Sequence, residues 1–173
     1  MKLLHKTLSL AVLGVLTTLV LTWAKADEKG VPVPSSELRL PAGPPFASPQ
    51  DAIRQRRAAY KLSGRIFKAM KEAVEAGKDV RPFADDARFL VSWSRKIPEM
   101  FPPGSDTGAE TKALPKIWQD KKTFDERAAA YTAEAEKLAA LAEAGDKAGF
   151  ARQFQATGKA CGACHKVFRA RVD

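Results

Sequence analysis

The chain has 173 residues, of which 45% are hydrophobic and 28% are charged. This composition is typical of one globular domain, and it excludes a wholly disordered chain. Two cysteines are too few for a disulfide-rich scaffold or a four-thiolate zinc site. The 29 basic and 20 acidic side chains give a formal net charge of +9.

The first 26 residues have the pattern of a bacterial secretory signal. A basic start precedes a mostly apolar run over residues 8–23, and Ala24-Lys25-Ala26 fits the small-x-small rule for cleavage before Asp27. The alternative is an uncleaved membrane anchor, but an apolar run of about 16 residues is short for a span of ~20. A lipid anchor is not expected, because no cysteine lies at the junction. The sequence therefore predicts an exported, periplasmic protein.

Cleavage changes the set of charged and metal-binding groups. The three lysines of the signal leave without any carboxylate, so 29 basic side chains become 26 against 20 acidic ones, a net charge of +6. His5 leaves as well, and the mature chain keeps a single histidine, His165. Its two cysteines, Cys161 and Cys164, lie within the same five consecutive residues. The functional interpretation depends on this cluster.

Two stretches of the mature chain show no helical period. Residues 27–47 are rich in proline, which predicts an extended leader or linker, with a disordered tail as the alternative. Residues 102–119 form a long loop rich in Pro, Gly, Ser and Thr, with a short turn predicted near 116–118.

Four helices are predicted from apolar residues at 3–4 spacing and from capping signals. The first extends over Ser48–Gly77, and the second begins at 79–82 and ends at Pro98. The third extends over 124–145, and the fourth follows the cap residue Asp146. Helices joined by mostly short connections predict an all-α, antiparallel four-helix bundle, which we place at 48–173.

The string CGACH has the spacing C-x-x-C-H, the attachment site of c-type haem. Positions i and i+3 of a helix face the same way, so Cys161 and Cys164 can add to the two vinyl groups at one edge of a porphyrin. His165 then places its imidazole under the iron. Gly162 and Ala163 are small, which lets the macrocycle lie close to the backbone. The sequence therefore predicts one covalently attached haem c.

Three other chemistries use a C-x-x-C pair. Structural zinc needs four ligands, and the mature chain has no further Cys or His, although carboxylates complete such a set in rare cases. A thioredoxin-like dithiol lies at a helix N-terminus in a βαβ setting, whereas this pair lies late in the last predicted helix. A plain disulfide suits an exported chain but gives no reason for His165 to follow. These observations favour haem.

The second axial position of the iron depends on residues upstream of the motif. Only eight residues follow His165, so no methionine arrives from downstream. The mature chain has two thioethers, Met70 and Met100, and neither is favoured as a ligand.

Four aromatic residues are candidates for the wall of the haem pocket, although ordinary core burial is the simplest role for each of them. These are Phe67, Trp93, Phe124 and Phe168.

Several strings resemble the class II cytochromes c, the group of cytochromes c′ and c556. In chain order they are Arg56–Tyr60, Met100–Ser105, Ala113–Trp118 and Gly158–Arg169. The likeness covers about Ser48 to Arg169, and the strings fall in family order. The haem motif alone is common to all c-type cytochromes, but its place at the C-terminus, followed by an aromatic-Arg pair, is typical of this group. The resemblance implies the four-helix bundle with its haem.

The resemblance also implies roles for single residues. Tyr60 takes the position over the iron, where low-spin members carry Met and cytochromes c′ carry a bulky non-ligating residue. It therefore favours a five-coordinate iron that cycles Fe(III)/Fe(II) and binds NO or CO. Arg56 matches the arginine that pairs with a haem propionate, with Arg57 as the alternative, and Arg169 takes a place against the proximal face. A six-coordinate electron carrier like cytochrome c556 is the alternative function.

The remaining expectations concern partners and activity. The resemblance implies a homodimer through the first two helices. The positive charge favours anionic redox partners, and the basic residues are spread over amphipathic faces, so nucleic-acid binding is not expected. No carboxylate pair, second metal cluster or phosphate loop stands out, and the chain is not expected to be an enzyme.

Overall fold

A computed structural model describes residues 29–171, so the predicted signal and its cleavage site lie outside the described residues. Five α-helices lie in this range: α1 (Pro49–Glu75), α2 (Ala84–Lys96), α3 (Lys116–Gln119), α4 (Lys121–Ala144) and α5 (Lys147–Phe168). Three short 3₁₀ helices occupy Ser35–Glu37, Arg81–Phe83 and Ile97–Met100. No strand occurs between residues 29 and 171. Among these helices, none combines the length and hydropathy that a membrane span needs.

The four long helices form an up-down-up-down bundle. α2 packs along α4, and α4 packs along α5, whereas α1 approaches α5 over a shorter stretch. Antiparallel pairing of α2 and α4 is visible in two ion pairs, since Arg88 and Arg95 contact Glu143 and Glu136 respectively, each at 2.6 Å. The prediction of an all-α, antiparallel four-helix bundle is confirmed, and the predicted turn near 116–118 is the single turn of α3.

The helix ends agree with the capping signals in the sequence. The hydroxyl of Ser48 accepts the Asp51 N–H at 3.1 Å, and the carboxylate of Asp146 accepts the Gly149 N–H at 2.9 Å. Gly145 ends α4 with a φ of +70°, in the left-handed region that glycine adopts without steric cost. Local chemistry therefore determines where α1, α4 and α5 begin or end.

The second helix differs from its prediction at both ends. A 3₁₀ turn, Arg81–Phe83, precedes α2, and Pro98 lies inside the 3₁₀ turn that follows it, Ile97–Met100, rather than ending the element. Proline fits there because the first positions of a short helix need no N–H donor. The chain thus continues as a tight turn that carries Met100 into the core, where it is 0% exposed.

The described part of the leader, residues 29–47, lies along α1 and α2. The Gly30 N–H donates to the Glu72 carboxylate at 2.9 Å, and the Gly43 N–H donates to the Gln55 amide oxygen at 3.1 Å, so this segment runs antiparallel to α1. Gly30 has a φ of +63°, and a Cβ there would lie 2.7 Å from the Ala73 nitrogen. The segment is irregular, as its prolines predict, and it packs on the bundle.

Asp86 of α2 links the leader to the core. Its side chain is buried, and one carboxylate oxygen accepts the Val33 N–H at 3.1 Å. The other oxygen has no hydrogen-bond partner among residues 29–171. Burial raises the pKa of Asp86 from 3.8 to about 6, against the opposing effect of the Val33 hydrogen bond. Folding therefore makes ionisation of this carboxyl less favourable than it is in the unfolded chain.

Asp86→Asn should change how stability depends on pH. Because the folded-state pKa lies above 3.8, the stabilising contribution of Asp86 is complete below that pH and is lost as pH rises through about 6. The amide variant carries no charge, so its free energy of unfolding relative to wild type should rise by up to about 3 kcal/mol from pH ~4 to ~7.5. Urea unfolding of the haem-loaded proteins measures this difference, and parallel pH profiles would contradict it.

Candidate haem site

Cys161 and Cys164 lie one helical turn apart near the C-terminal end of α5. Both thiols are free, and both side chains are half-buried against the hydrophobic core. Burial, and then the neighbouring Cys164, raise the pKa of Cys161 to about 11, and burial also raises the pKa of Cys164. A redox dithiol has a lowered thiol pKa, so this pair does not have the electrostatics of a thioredoxin-like site.

His165 follows in the last turn of α5 and is exposed. Partial desolvation, and then the positive charge of Arg169, lower the pKa of its imidazole. The neutral ring is the form that binds a metal ion. No group of three or more His, Cys, Asp or Glu that would hold a metal ion occurs in the described part of the chain, which leaves the zinc alternative without support.

Two tyrosines of the neighbouring helices interact electrostatically with the cysteines. Tyr60 of α1 packs edge-on against Trp93 of α2, with ring centroids 5.0 Å apart. Its pKa is raised by burial and then by Cys164, and Cys161 adds to the shift. Tyr131 of α4 is buried, and its pKa is raised by burial, then by Cys161 and by Tyr60. The phenols and thiols therefore lie within electrostatic range of one another, around a site bounded by α1, α4 and α5.

Arg56 lies one turn before Tyr60 and is only 2% exposed. Its guanidinium donates four hydrogen bonds, to the Met100 carbonyl, the Ser105 hydroxyl and carbonyl, and the Thr111 hydroxyl. It also stacks over the Phe101 ring at 4.3 Å. Within residues 29–171 it forms no ion pair with a carboxylate, and desolvation lowers its pKa to about 10. A buried cation with only neutral acceptors is suited to an anionic ligand.

The adjacent arginine has a different environment. Arg57 is partly exposed and pairs with Glu110 at 2.7 Å, and this pairing lowers the pKa of Glu110. Its charge is thus compensated at the surface. Of the two arginines predicted to reach a propionate, the contacts of the structure favour Arg56.

Arg169 lies at the junction between α5 and the long loop. Its backbone forms an isolated antiparallel bridge with Ala113, and the Leu114 N–H donates to the Phe168 carbonyl at 3.0 Å. The side chain of Arg169 is exposed and acts electrostatically on both His165 and Tyr60.

The predicted wall residues take part in four aromatic contacts. Phe124 packs on Phe168 at a centroid distance of 5.3 Å and on Phe101 at 4.9 Å. Phe67 packs on Phe154 of α5 at 5.2 Å. Trp93 is the partner of Tyr60, and its buried indole N–H has no acceptor among the residues that the structure describes. Both mature methionines are fully buried in the core.

Comparison with known proteins agrees with this geometry. The family model described as Cytochrome C′ matches residues 51–169. The chain belongs to the cytochrome c′ family. A cytochrome c′ of Rhodopseudomonas palustris is 36% identical over 132 residues, which cover 75% of this chain and 89% of that protein. As a member of the family, the protein is a cytochrome c′-like haem protein that carries one covalently attached haem c.

Two further relatives bear on the chemistry of the site. A nitric oxide complex of a cytochrome c prime mutant from Alcaligenes xylosoxidans superimposes with a TM-score of 0.66 at 30% identity, covering 73% of this chain and 99% of that one. A cytochrome c-556 of Agrobacterium tumefaciens is 40% identical, but over 78 residues that cover 45% of this chain and 62% of that protein.

The residues present fit a c-type haem. Such a group needs two unpaired thiols on one helix face, an adjacent neutral imidazole and a buried guanidinium that is not paired with a carboxylate, and all of these are present.

Three residues near the site were not predicted from the sequence: Tyr131, Ser105 and Thr111. Tyr131 lies in the third predicted helix, but nothing in the sequence placed it near Cys161. The two hydroxyl residues lie in an irregular loop and give no periodic signal.

Arg56→Met should destabilise the haem-loaded protein by about 3 kcal/mol, because it leaves several buried acceptors without a donor. Arg57→Met is the matched control, since it removes only a surface ion pair with Glu110 and should cost less than about 1 kcal/mol. Urea unfolding followed by far-UV circular dichroism measures both effects. Equal losses in the two variants would show that the Arg56 guanidinium does not stabilise the loop.

Proposed function

We propose that this protein is an exported haem protein of the cytochrome c′ type, which transfers single electrons and binds NO or CO at a five-coordinate iron. The residue that supports this most directly is Tyr60, whose phenol interacts electrostatically with both cysteines, and which by the family resemblance stands where six-coordinate members carry Met. The nitric oxide complex of the relative from Alcaligenes xylosoxidans supports the choice of gas ligand.

In this proposal α5 provides the covalent and proximal contacts. Cys161 and Cys164 form the two thioethers, and the imidazole of His165 is the protein ligand of the iron. Bound haem supplies a one-electron Fe(III)/Fe(II) couple and one open coordination position for a small neutral molecule. The lowered pKa of His165 keeps its ring nitrogen unprotonated for coordination.

The distal side is formed by α1 and α2. Tyr60 packs edge-on against Trp93, which would hold its ring in place, and burial raises the pKa of the phenol, so it stays neutral at physiological pH. A neutral phenol is a poor ligand for ferrous iron, and an aromatic wall disfavours charged ligands and water. Small uncharged diatomic molecules are the ligands compatible with such a face.

The two arginines hold the periphery of the site. Arg56, which is buried and forms no ion pair with a carboxylate of residues 29–171, would pair with a haem propionate. Arg169 lies beside His165 and adds positive charge on the proximal side, which favours the reduced state of the site.

The six-coordinate carrier remains the second candidate because a cytochrome c-556 is among the relatives. The structure offers this candidate little support. Met70 and Met100 are both 0% exposed within the core, and the backbone carbonyl of Met100 accepts a hydrogen bond from Arg56.

Export to the periplasm, a homodimer through α1 and α2 and the lack of an enzymatic role stay predictions. The family relationship supports an electron-transfer and gas-binding role without a catalytic one. The leader lies along both α1 and α2, so a dimer formed through these helices would have to share their surface with residues 29–47.

Replacing both cysteines, in Cys161→Ala/Cys164→Ala, should abolish covalent attachment. The haem of the wild type, produced with an intact maturation system, should resist acid-acetone extraction, whereas that of the double variant should be fully extracted. A pyridine haemochrome assay before and after extraction measures this. Wild-type protein without bound tetrapyrrole would refute the proposed function.

Tyr60→Met should convert a high-spin five-coordinate iron into a low-spin six-coordinate one, because it supplies a thioether in place of a phenol. Carbon monoxide binding to the reduced form should then be slowed, while Tyr60→Phe, the control, should keep the high-spin spectrum and bind CO. Optical and EPR spectra of both oxidation states, with and without NO, measure these states. A low-spin wild type in both oxidation states would instead support the second candidate.

A further inference from the structure

The leader is held against α1 at two points that lie well apart on the helix. At one point the Glu37 carboxylate pairs with Arg65 at 2.7 Å, and at the other the Gly43 N–H donates to the amide oxygen of Gln55 at 3.1 Å. Gln55 and Arg65 are separated by about 15 Å along the axis of α1, at a rise of ~1.5 Å per residue. The leader therefore crosses from one contact to the other beside an elongated strip of helix surface.

A groove of about 580 Å³ lies between the leader and this strip, and we call it the leader groove. Its floor is one face of α1, where Ala58 and Leu62 lie at helical spacing with Ala59 beside them. Residues 40–42 of the leader form the opposite wall. The volume falls within the range of about 300–1,000 Å³ that is typical of small-molecule sites.

The inner surface of the groove is aliphatic. Leu40, which lines it, is 38% exposed and is one of three large hydrophobic side chains with such exposure among the described residues. Pro41 and Leu62 add further aliphatic surface, and none of the described residues that line the groove is aromatic. An aromatic ring would find no ring to stack on, so this surface favours an aliphatic chain.

The rim of the groove is basic. Arg39 and Lys61 both line it, are exposed, and form no ion pair with a carboxylate of residues 29–171. The third cation, Arg65, is paired with Glu37, the one carboxylate among the described lining residues. Glu110 interacts electrostatically with Lys61 but already forms another ion pair. The rim therefore has an excess of positive charge, which suits one anionic group.

We infer that the leader groove binds a medium-chain aliphatic carboxylate, such as a free fatty acid. The chain lies along α1, where burial of apolar surface supplies the affinity, and the carboxylate pairs with Arg39 and Lys61. The family match begins at residue 51, so the wall that the leader forms lies outside the matched region. The inference does not depend on the proposed function, because the groove contains none of the residues proposed to hold the haem.

Calorimetric titration of the haem-loaded protein with sodium decanoate, below its micellar concentration, tests this inference. The variant Arg39→Gln/Lys61→Gln removes the two unpaired charges of the rim, and Leu40→Ser removes the exposed part of the aliphatic wall. The matched control, Arg152→Gln/Lys159→Gln, also removes one arginine and one lysine, which are exposed on α5 and without an ion pair in the described chain. All five side chains are exposed, so the core stays intact.

We expect the wild type to bind one decanoate saturably, with an affinity that falls as ionic strength rises. The rim variant should bind about fivefold more weakly and Leu40→Ser about threefold, while the control stays within about twofold of the wild type. The uncharged probe 1-decanol should bind more weakly than decanoate. Three results would each overturn the inference: no saturable binding, equal affinities for the rim variant and the control, or equal affinities for the two probes.

Two other occupants of the groove have distinct signatures. Binding to phosphatidylglycerol vesicles that depends on Arg39 and Lys61, without decanoate binding, would overturn the inference in favour of a lipid surface. A dimer in sedimentation velocity that Leu40→Ser dissociates, again without decanoate binding, would overturn it in favour of a second copy of the chain. The haemochrome assay separates the two proposals. Haem-loaded protein that fails to bind decanoate refutes only the groove, whereas decanoate binding by protein without haem refutes only the proposed function.

Discussion

The buried guanidinium of Arg56 connects the parts of the molecule on which the site depends. Its hydrogen bonds hold the loop at Ser105 and Thr111, and Thr111 in turn accepts the Ala113 N–H at 3.2 Å. Ala113 pairs with Arg169, directly after α5. A single desolvated cation on α1 therefore fixes the loop against the end of the haem-bearing helix, and its desolvation cost is offset only while every acceptor stays in place.

The same network explains how two helices that touch over a short stretch form one site. α1 contributes Tyr60 and Arg56, and α5 contributes the cysteines and the imidazole, yet the direct contact between these helices is limited. The irregular segment between α2 and α4 connects them, because it binds Arg56 of α1 and pairs with Arg169 after α5. Loops that position functional groups are commonly held in this way by side chains of the rigid scaffold.

Local signals predicted much of the fold. Ser48, Gly145 and Asp146 act through hydrogen bonds and dihedral angles within a few residues, so their effect is visible in the sequence. The C-x-x-C-H spacing is equally local. The tight 3₁₀ turns around α2 were not predicted, because proline is compatible with both a helix end and a 3₁₀ start.

The remaining features depend on contacts between distant parts of the chain. The partners of Arg56 are 44 to 55 residues away from it, and Val33 and Asp86 are separated by 53 residues. No periodic or compositional signal encodes such pairs. The burial of Arg56 and Asp86 could for this reason not be predicted from the sequence. The family resemblance had only implied that Arg56 pairs with a haem propionate.

The sequence of α5 contains no Asp or Glu, and this has a consequence for how the haem-bearing helix is stabilised. α1, α2 and α4 each contain ion pairs between residues three or four apart, such as Arg54–Asp51, whereas no such pair is present in α5 within the described chain. α5 also contains Gly149, Gly158 and Gly162, and an interior glycine costs a helix about 1 kcal/mol relative to alanine. α5 therefore gains little stability from its own side-chain pairs, and its winding depends mainly on packing against α4. Thioether bonds at Cys161 and Cys164 would add a covalent tie near its C-terminal end, so attachment of the haem and completion of the bundle would stabilise each other.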